Sequence, residues 1–331
     1  MNYPSQGQKF TLRSLTNNGS SILLVLAMFG VSTLLGAVIA GWLGIFFSTA
    51  LFVIALVAQE KVPLEVMLKI QGAHPIHPFE HRELYELAGT LSARAGLNAV
   101  PMLYWLPSPV PNAFATQQGT KTVIAVSSGL MQNLCAREIQ GVLAHEIAHL
   151  KNEDPRLLKV AQAAVQVTGF LSTWGQIMAL ILLPLTLVGI VSYSLQGLAL
   201  LLLAPWVSVF LQAALSRGRE WEADRVGAEL SRDPIGLATA LKKMQDLTNP
   251  WIYRFFGKEN RLKIPQILRS HPQTSSRIRR LKEMEKNYPG PIVSPYWNKL
   301  PQPSGRFYPG PFEQWLLRVI QGMLRGNRNY R

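Results

Sequence analysis

The sequence predicts an α+β membrane protein, mainly helical, with four transmembrane helices in two hairpins and a polar part that holds a small sheet. Three observations carry this. Charged residues make up only 16% of the 331 residues, against about 25% in an ordinary soluble chain. Residues 14–59 and 160–216 contain no Asp, Glu, Lys or Arg at all. The polar segments between and after them carry the periodicities of amphipathic helices and short strands. With 48% apolar residues, the chain has too much to bury for a disordered or nucleic-acid-coating protein.

A bilayer crossing takes about 20 apolar residues as helix. Each charge-free stretch is too long for one crossing and suits two. Ser21–Ala40 and Trp42–Gln59 read as the first pair, with a reversal near Gly41–Gly44. Val165–Leu187 and Leu195–Leu215 read as the second, around 191–194, with Pro184 and Pro205 inside helices. Lys9 and Arg13 before an apolar run suggest a secretory leader. The run continues past where a leader would stop, so an uncleaved first span is expected. The chain thus parses into a first hairpin at 1–59, a polar segment at 60–159 and a second hairpin at 160–216. A second polar segment covers 217–286, and a proline-rich basic tail covers 287–331.

Charge sets the expected orientation. Lys9, Arg13, Lys61 and Lys69 flank the first hairpin; Lys151, Arg156, Lys159, Arg217, Arg219 and Arg225 flank the second. Neither hairpin loop is charged. The positive-inside rule then places both termini and both polar segments on the cytoplasmic side, in the inner (plasma) membrane of the cell. Of the net +14, most lies in 217–331, with 22 basic and 10 acidic groups. That balance suits an anionic lipid surface; no nucleic-acid motif accompanies it, and nucleic acid is not an expected partner. The single Cys135 excludes an intrachain disulfide and is expected to be small and buried.

Within 60–159, Leu84, Leu87, Ala88, Leu91 and Ala95 share a helix face over 78–95, which Gly96 ends. Met102–Leu106 reads as a strand. Asn112–Thr116 and Thr122–Ser127 flank a turn at Gln117–Thr120. Ile139, Val142, Leu143, Ile147 and Leu150 then mark a helix that stops before Pro155. In the tail, Trp315, Leu316, Val319, Ile320, Met323 and Leu324 mark a helix, docked on the body or lying in the lipid interface.

The chemistry-bearing segment is His145-Glu146-Ile147-Ala148-His149. Four apart on a helix, His145 and His149 project from one face and can reach one metal ion. Glu146, about 100° round, can approach a water in the ion's open position. Two imidazoles and a carboxylate suit Zn2+. Taken alone, this pattern also fits a surface helix with two solvated histidines. A second motif, Glu220-Trp221-Glu222-Ala223-Asp224, follows the last apolar stretch. Glu220 can be a third ligand, with Glu222 the weaker candidate. Asp224, one turn on, can accept the outer N–H of a ligating imidazole. Without the histidine motif this would read as a solvated acidic–basic face.

These segments, with Asn112-Ala113-Phe114-Ala115 before them and Ser270-His271-Pro272 and Arg277 after, resemble the HtpX group of membrane zinc endopeptidases. That group is related to the prenyl-protein endoprotease and the OMA-type mitochondrial protease. The resemblance covers about residues 10–285. It implies a gluzincin-type catalytic domain holding one zinc on His145, His149 and Glu220, with Glu146 as general base. It implies an edge strand at Asn112–Ala115 that pairs with extended substrate, and His271 and Arg277 as groups facing the developing oxyanion or substrate. It also implies membrane or misfolded polypeptides as substrates. The tail and the histidines His74, His77 and His81 stand outside it; the latter read as a loop leading into a helix. A membrane scaffold with a structural or lapsed zinc site, and a prenyl-protein endoprotease, are the competing expectations.

Overall fold

The computed structural model describes residues 6–61, 63–190, 192–256 and 274–288. His271, the helix at Trp315 and nearly all of the tail lie outside the described residues. In chain order the elements are α1 (Gln6–Lys61), α2 (Leu64–Ile70), β1 (His74–Pro75), α3 (Arg82–Ala95), β2 (Met102–Leu106), β3 (Ala113–Gln118) and β4 (Lys121–Ser127). Then come α4 (Ser128–Asn133), α5 (Ala136–Lys151), α6 (Asp154–Ile181), α7 (Leu183–Leu187), α8 (Leu195–Ser231), α9 (Pro234–Phe256) and α10 (Thr274–Met284). The chain divides into two compact units: Met1–Val62 with Asp154–Glu222, and Pro63–Glu153 with Ala223–Arg331.

In the first unit, Gly19–Lys61, Asp154–Ile181 and Leu195–Ser231 are long and apolar enough to cross a membrane. The first of them doubles back. Ala40 and Gly41 leave helical geometry, and Gly41 takes φ 59°, ψ −136°, a conformation open to glycine and strained for any residue with a Cβ. Beyond the bend the two arms touch. The rings of Phe29 and Phe52 lie 5.1 Å apart, and a Cβ on Gly36 would stand 2.4 Å from the carbonyl oxygen of Gly44. The reversal therefore falls at Ala40–Gly41, the junction of the expected first helix and the expected turn.

The second apolar stretch departs from expectation at Pro184. The sequence reading carries one helix through to Leu187; α6 instead ends at Ile181, and Pro184 opens the separate short helix α7. A proline ring clashes with the carbonyl four residues back and supplies no N–H. At its other end, α6 begins at Asp154 rather than Val165. Pro205 does lie inside α8, and the structure shows what permits it. With no N–H at Pro205, the carbonyl of Leu201 loses its helical donor. The hydroxyl of Ser172 and the amide of Gln176 (3.1 Å) donate to it instead. Ser32, Thr168 and Ser208 form a second buried hydroxyl chain, at 2.7 and 3.2 Å. Outward, Trp42 is 75% and Phe210 68% exposed, surfaces that suit acyl chains rather than water.

In the second unit the sheet order is β1-β2-β4-β3. Strands β2 and β4 are parallel; the outer pairings are antiparallel. Strand β3 is an edge, joined to β4 through Gly119 at φ 56°. Helix α3 starts at Arg82, four residues later than the periodicity suggested, because residues 78–81 turn first; it ends on Gly96 at φ 74°. All the apolar positions read from α3 and α5 are buried. They meet Leu103, Ile124 and Val126 of the sheet and Ala223, Val226 and Leu230 of α8. One expectation fails. Cys135 is exposed, because it sits outside the first turn of α5, where its N–H donates to Oε2 of Glu138 (2.9 Å). That bond satisfies one of the amides a helix start leaves open.

Candidate metal centre

Helix α5 is anchored at its start. Besides capping Cys135, Glu138 accepts from Nζ of Lys243 at 2.8 Å, a bond that raises the lysine pKa. The guanidinium of Arg137 pairs with the buried carboxylate of Asp233, and Nη2 donates to Oδ1 at 2.7 Å. Two glycines let neighbouring backbones close on α5. A Cβ on Gly141 would stand 2.7 Å from the amide nitrogen of Leu237 on α9. A Cβ on Gly227 of α8 would stand 3.0 Å from both N and Cα of His145. Helix α8 therefore passes the first histidine of the motif at near-minimal distance.

The two imidazoles face one another. Their Nε2 atoms lie 3.1 Å apart and the rings are nearly perpendicular, at 87°. Two nitrogens bound to one zinc at about 2.0–2.1 Å would stand about 3.3 Å apart, so the spacing fits a shared ion. One ligand atom each from His145, His149 and Glu220 lies within 4.8 Å of the others. Two imidazole nitrogens and one carboxylate oxygen make a donor set suited to zinc. No other group of this kind occurs among the described residues. Glu146, beside His145 in sequence, is also buried, at 3% exposure.

Asp224 completes the surroundings of His145. Its Oδ1 lies 3.1 Å from Nδ1 of the imidazole, which leaves Nε2 turned towards the other donors. Arg277, on α10, grips the same carboxylate with two parallel bonds. Nε donates to Oδ2 and Nη2 to Oδ1, both at 2.7 Å. Nη2 also lies 3.5 Å from Nε2 of His145. The resemblance implies Arg277 as a group facing the developing oxyanion or substrate; in the structure it is 1% exposed and pairs with Asp224 beside the first imidazole. Such bidentate pairs fix geometry as well as charge.

The remaining candidates divide. Ala113, Phe114 and Ala115 lie in the edge strand β3, and Asn112 just precedes it, bonded to Ser127 through N–H (2.8 Å to Oγ) and carbonyl (2.9 Å from N). Ala113 joins the core that backs the α5 helix. His74 is in β1, His77 is exposed and His81 directly precedes α3. The sequence reading missed Gly227 and Gly141. The signal for Gly227 was present: it lies seven residues, about two helical turns, beyond Glu220, where a small residue marks a close helix contact.

Residues 78–285 match peptidase family M48. The chain belongs to that family. A "Protease HtpX homolog" of Persephonella marina is 33% identical over 286 residues, covering 80% of this chain and 96% of the relative. Another, of Pelotomaculum thermopropionicum, is 32% identical over 285 residues, covering 81% and 99%. Among solved structures, the crystal structure of S. mikatae Ste24p is similar with a TM-score of 0.48 and 20% identity, over 81% of this chain and 66% of that one. As an M48 member this is a metallopeptidase, an HtpX-like membrane protease whose substrates are polypeptides. Among the described residues, the His145–His149–Glu220 group is the one that could hold a metal.

Proposed function

We propose that this chain is a zinc-dependent endopeptidase that cleaves internal peptide bonds of membrane or misfolded proteins at the cytoplasmic face of the inner membrane. The observation that carries the reading is the convergence within 4.8 Å of ligand atoms from His145 and His149 of α5 and Glu220 of α8, with the buried carboxylate of Glu146 next to His145 in the chain. His145, His149 and Glu220 would hold the ion. When bound, zinc supplies the Lewis acidity that makes a water nucleophilic near neutral pH and polarises a peptide carbonyl. Glu146 takes the proton of the attacking water and returns it to the leaving amine. Asp224, steadied by Arg277, keeps the His145 tautomer and ring orientation. Strand β3, an open edge, pairs with the substrate backbone in extended form, and His271 bears charge on the tetrahedral oxygen.

In this reading the chain makes four crossings, two by the doubled-back first helix and one each by α6 and α8, and the flanking basic residues favour a peptidase unit on the inside. The exposed Cys135, the single cysteine of the chain, offers a direct test. A membrane-impermeant maleimide should label it in inverted vesicles and spare it in intact spheroplasts; labelling in spheroplasts overturns the orientation. For the chemistry, zinc content and proteolysis are measured on purified wild type, His145→Ala and Glu220→Gln, with and without a chelator. One zinc per chain, lost together with activity in both variants, is expected. Undiminished cleavage after complete metal removal rejects the reading.

A further inference from the structure

We infer that the buried ion pair between Arg219 and Asp154 is a positioning device for Glu220, an inference that rests on reading Glu220 as the third metal ligand. The guanidinium Nε of Arg219 donates to Oδ1 of Asp154. The two side chains are 2% and 1% exposed, and both belong to the first unit. Nothing in the proposed chemistry uses either charge. Asp154 is the first residue of α6, five positions after His149. Arg219 is the residue immediately before Glu220 on α8. The pair therefore ties α8 down one residue from the ligand, to a point close in sequence to the second imidazole.

Stability does not explain such a pair. Withdrawing two charges from water costs several kcal/mol per ion, and apolar replacements of equal volume are often neutral or better. What an ion pair does well is fix register. Helix α8 is a single 37-residue helix, and the hydrogen bonds that hold its apolar stretch, at Leu201, Ser208 and Gln212, lie two or more turns from Glu220. A residue on its surface lies about 5–6 Å from the axis. A rotation of about 10° thus moves an atom at that radius, such as a ligand oxygen, by about 1 Å, several times the ±0.2 Å over which metal–ligand distances are held. On the far side of Glu220 the rotation is held by Asp224 through Arg277 and by the close approach at Gly227. On the near side Arg219 with Asp154 is a buried charged contact one residue from Glu220.

The test is a double-mutant cycle on zinc affinity, measured on purified, metal-stripped full-length protein by competition with a chromophoric chelator. Asp154→Asn is expected to weaken zinc binding about 10–100-fold in the wild-type background, as loss of a ligand's support does. In the Glu220→Gln background the same substitution is expected to change it less than about twofold, because the ligand it positions is already gone. Visible spectra of the cobalt-loaded protein should shift with Asp154→Asn towards those of Glu220→Gln. Arg219→Lys, which keeps the charge but not the planar fork, should lie between, and it replaces Asp154→Asn in the cycle if that variant does not fold. Equal losses in both backgrounds, or no loss in either, overturn the inference alone. Unchanged zinc affinity in Glu220→Gln itself removes the ligand reading and the inference together.

Discussion

The two units solve the problem of buried polarity in opposite ways. In the hairpin unit the buried polar groups are mostly neutral. Ser32, Thr168 and Ser208 bond one another, and Ser172 and Gln176 serve the carbonyl that Pro205 leaves open. In the peptidase unit buried charges are more numerous, and several are paired: Asp224 with Arg277 and His145, Asp233 with Arg137, Glu138 with Lys243. An ion in hydrocarbon has no water to fall back on, whereas hydroxyls can satisfy backbone at small cost. A catalytic unit needs fixed charges around its reacting groups, and it can afford them where solvent is near. Among the described residues of the first unit the buried charges are Asp154, Arg219 and Glu220, which cluster at the candidate ligand rather than deep in a span.

Removing the charged chemistry should have the largest effect. Glu146→Ala is expected to lower kcat by about 10²–10⁴-fold, the range for a general base, while zinc content measured on the same preparation stays at the wild-type level. Zinc lost along with turnover would make Glu146 a support for the ion rather than a base.

Arg277→Ala comes next. It leaves Asp224 buried and without its guanidinium, and breaking a buried pair from one side costs about 3–5 kcal/mol. The expected result is a clearly lower Tm together with weaker zinc binding. A variant that loses activity with Tm and zinc affinity intact would return Arg277 to the substrate. Gly141→Ala should cost about 1–3 kcal/mol of stability, as overpacking does, since its Cβ meets the backbone of α9 rather than a movable side chain. Gly227→Ala, with longer contacts at 3.0 Å, should cost less in Tm and show itself in zinc affinity.

The smallest effect belongs to the hairpins. Ser172→Ala should destabilise the protein by about 0.6–2 kcal/mol, the worth of an interhelical bond in a membrane. Combining it with Pro205→Ala should recover much of the loss, because the Leu201 carbonyl regains a helical donor. Thermal unfolding in one detergent compares the four variants. Equal losses from Ser172→Ala with and without Pro205 would mean that this bond does not answer the proline.

Much of this was readable in the chain. The apolar positions of α3 and α5 follow a helical period because one face must leave water, and they are the residues found buried. The αL end of α3 at Gly96 and the turn at Gly119 follow from the residue type that tolerates positive φ. The misreadings are equally physical. Hydropathy averages over Pro184 and cannot see that its ring ends α6. Cys135 was expected inside on its type, whereas its position outside a helix start decides its exposure. The pairing of Arg277 with Asp224 was not a misreading but invisible: the partners lie 53 residues apart, and no local pattern reports that distance.

By itself, then, the sequence determined which stretches are apolar enough to cross a bilayer, which helix faces turn inward, and that two imidazoles four residues apart share one face of a helix. These depend on periodicity and composition, which act over a few turns of chain. The tertiary structure alone decided that Arg277 holds Asp224, that Arg219 meets Asp154, and that a missing Cβ at Gly227 brings α8 against His145. Those pairings join residues dozens of positions apart, and they exist only once packing has fixed both backbones to within a fraction of an ångström.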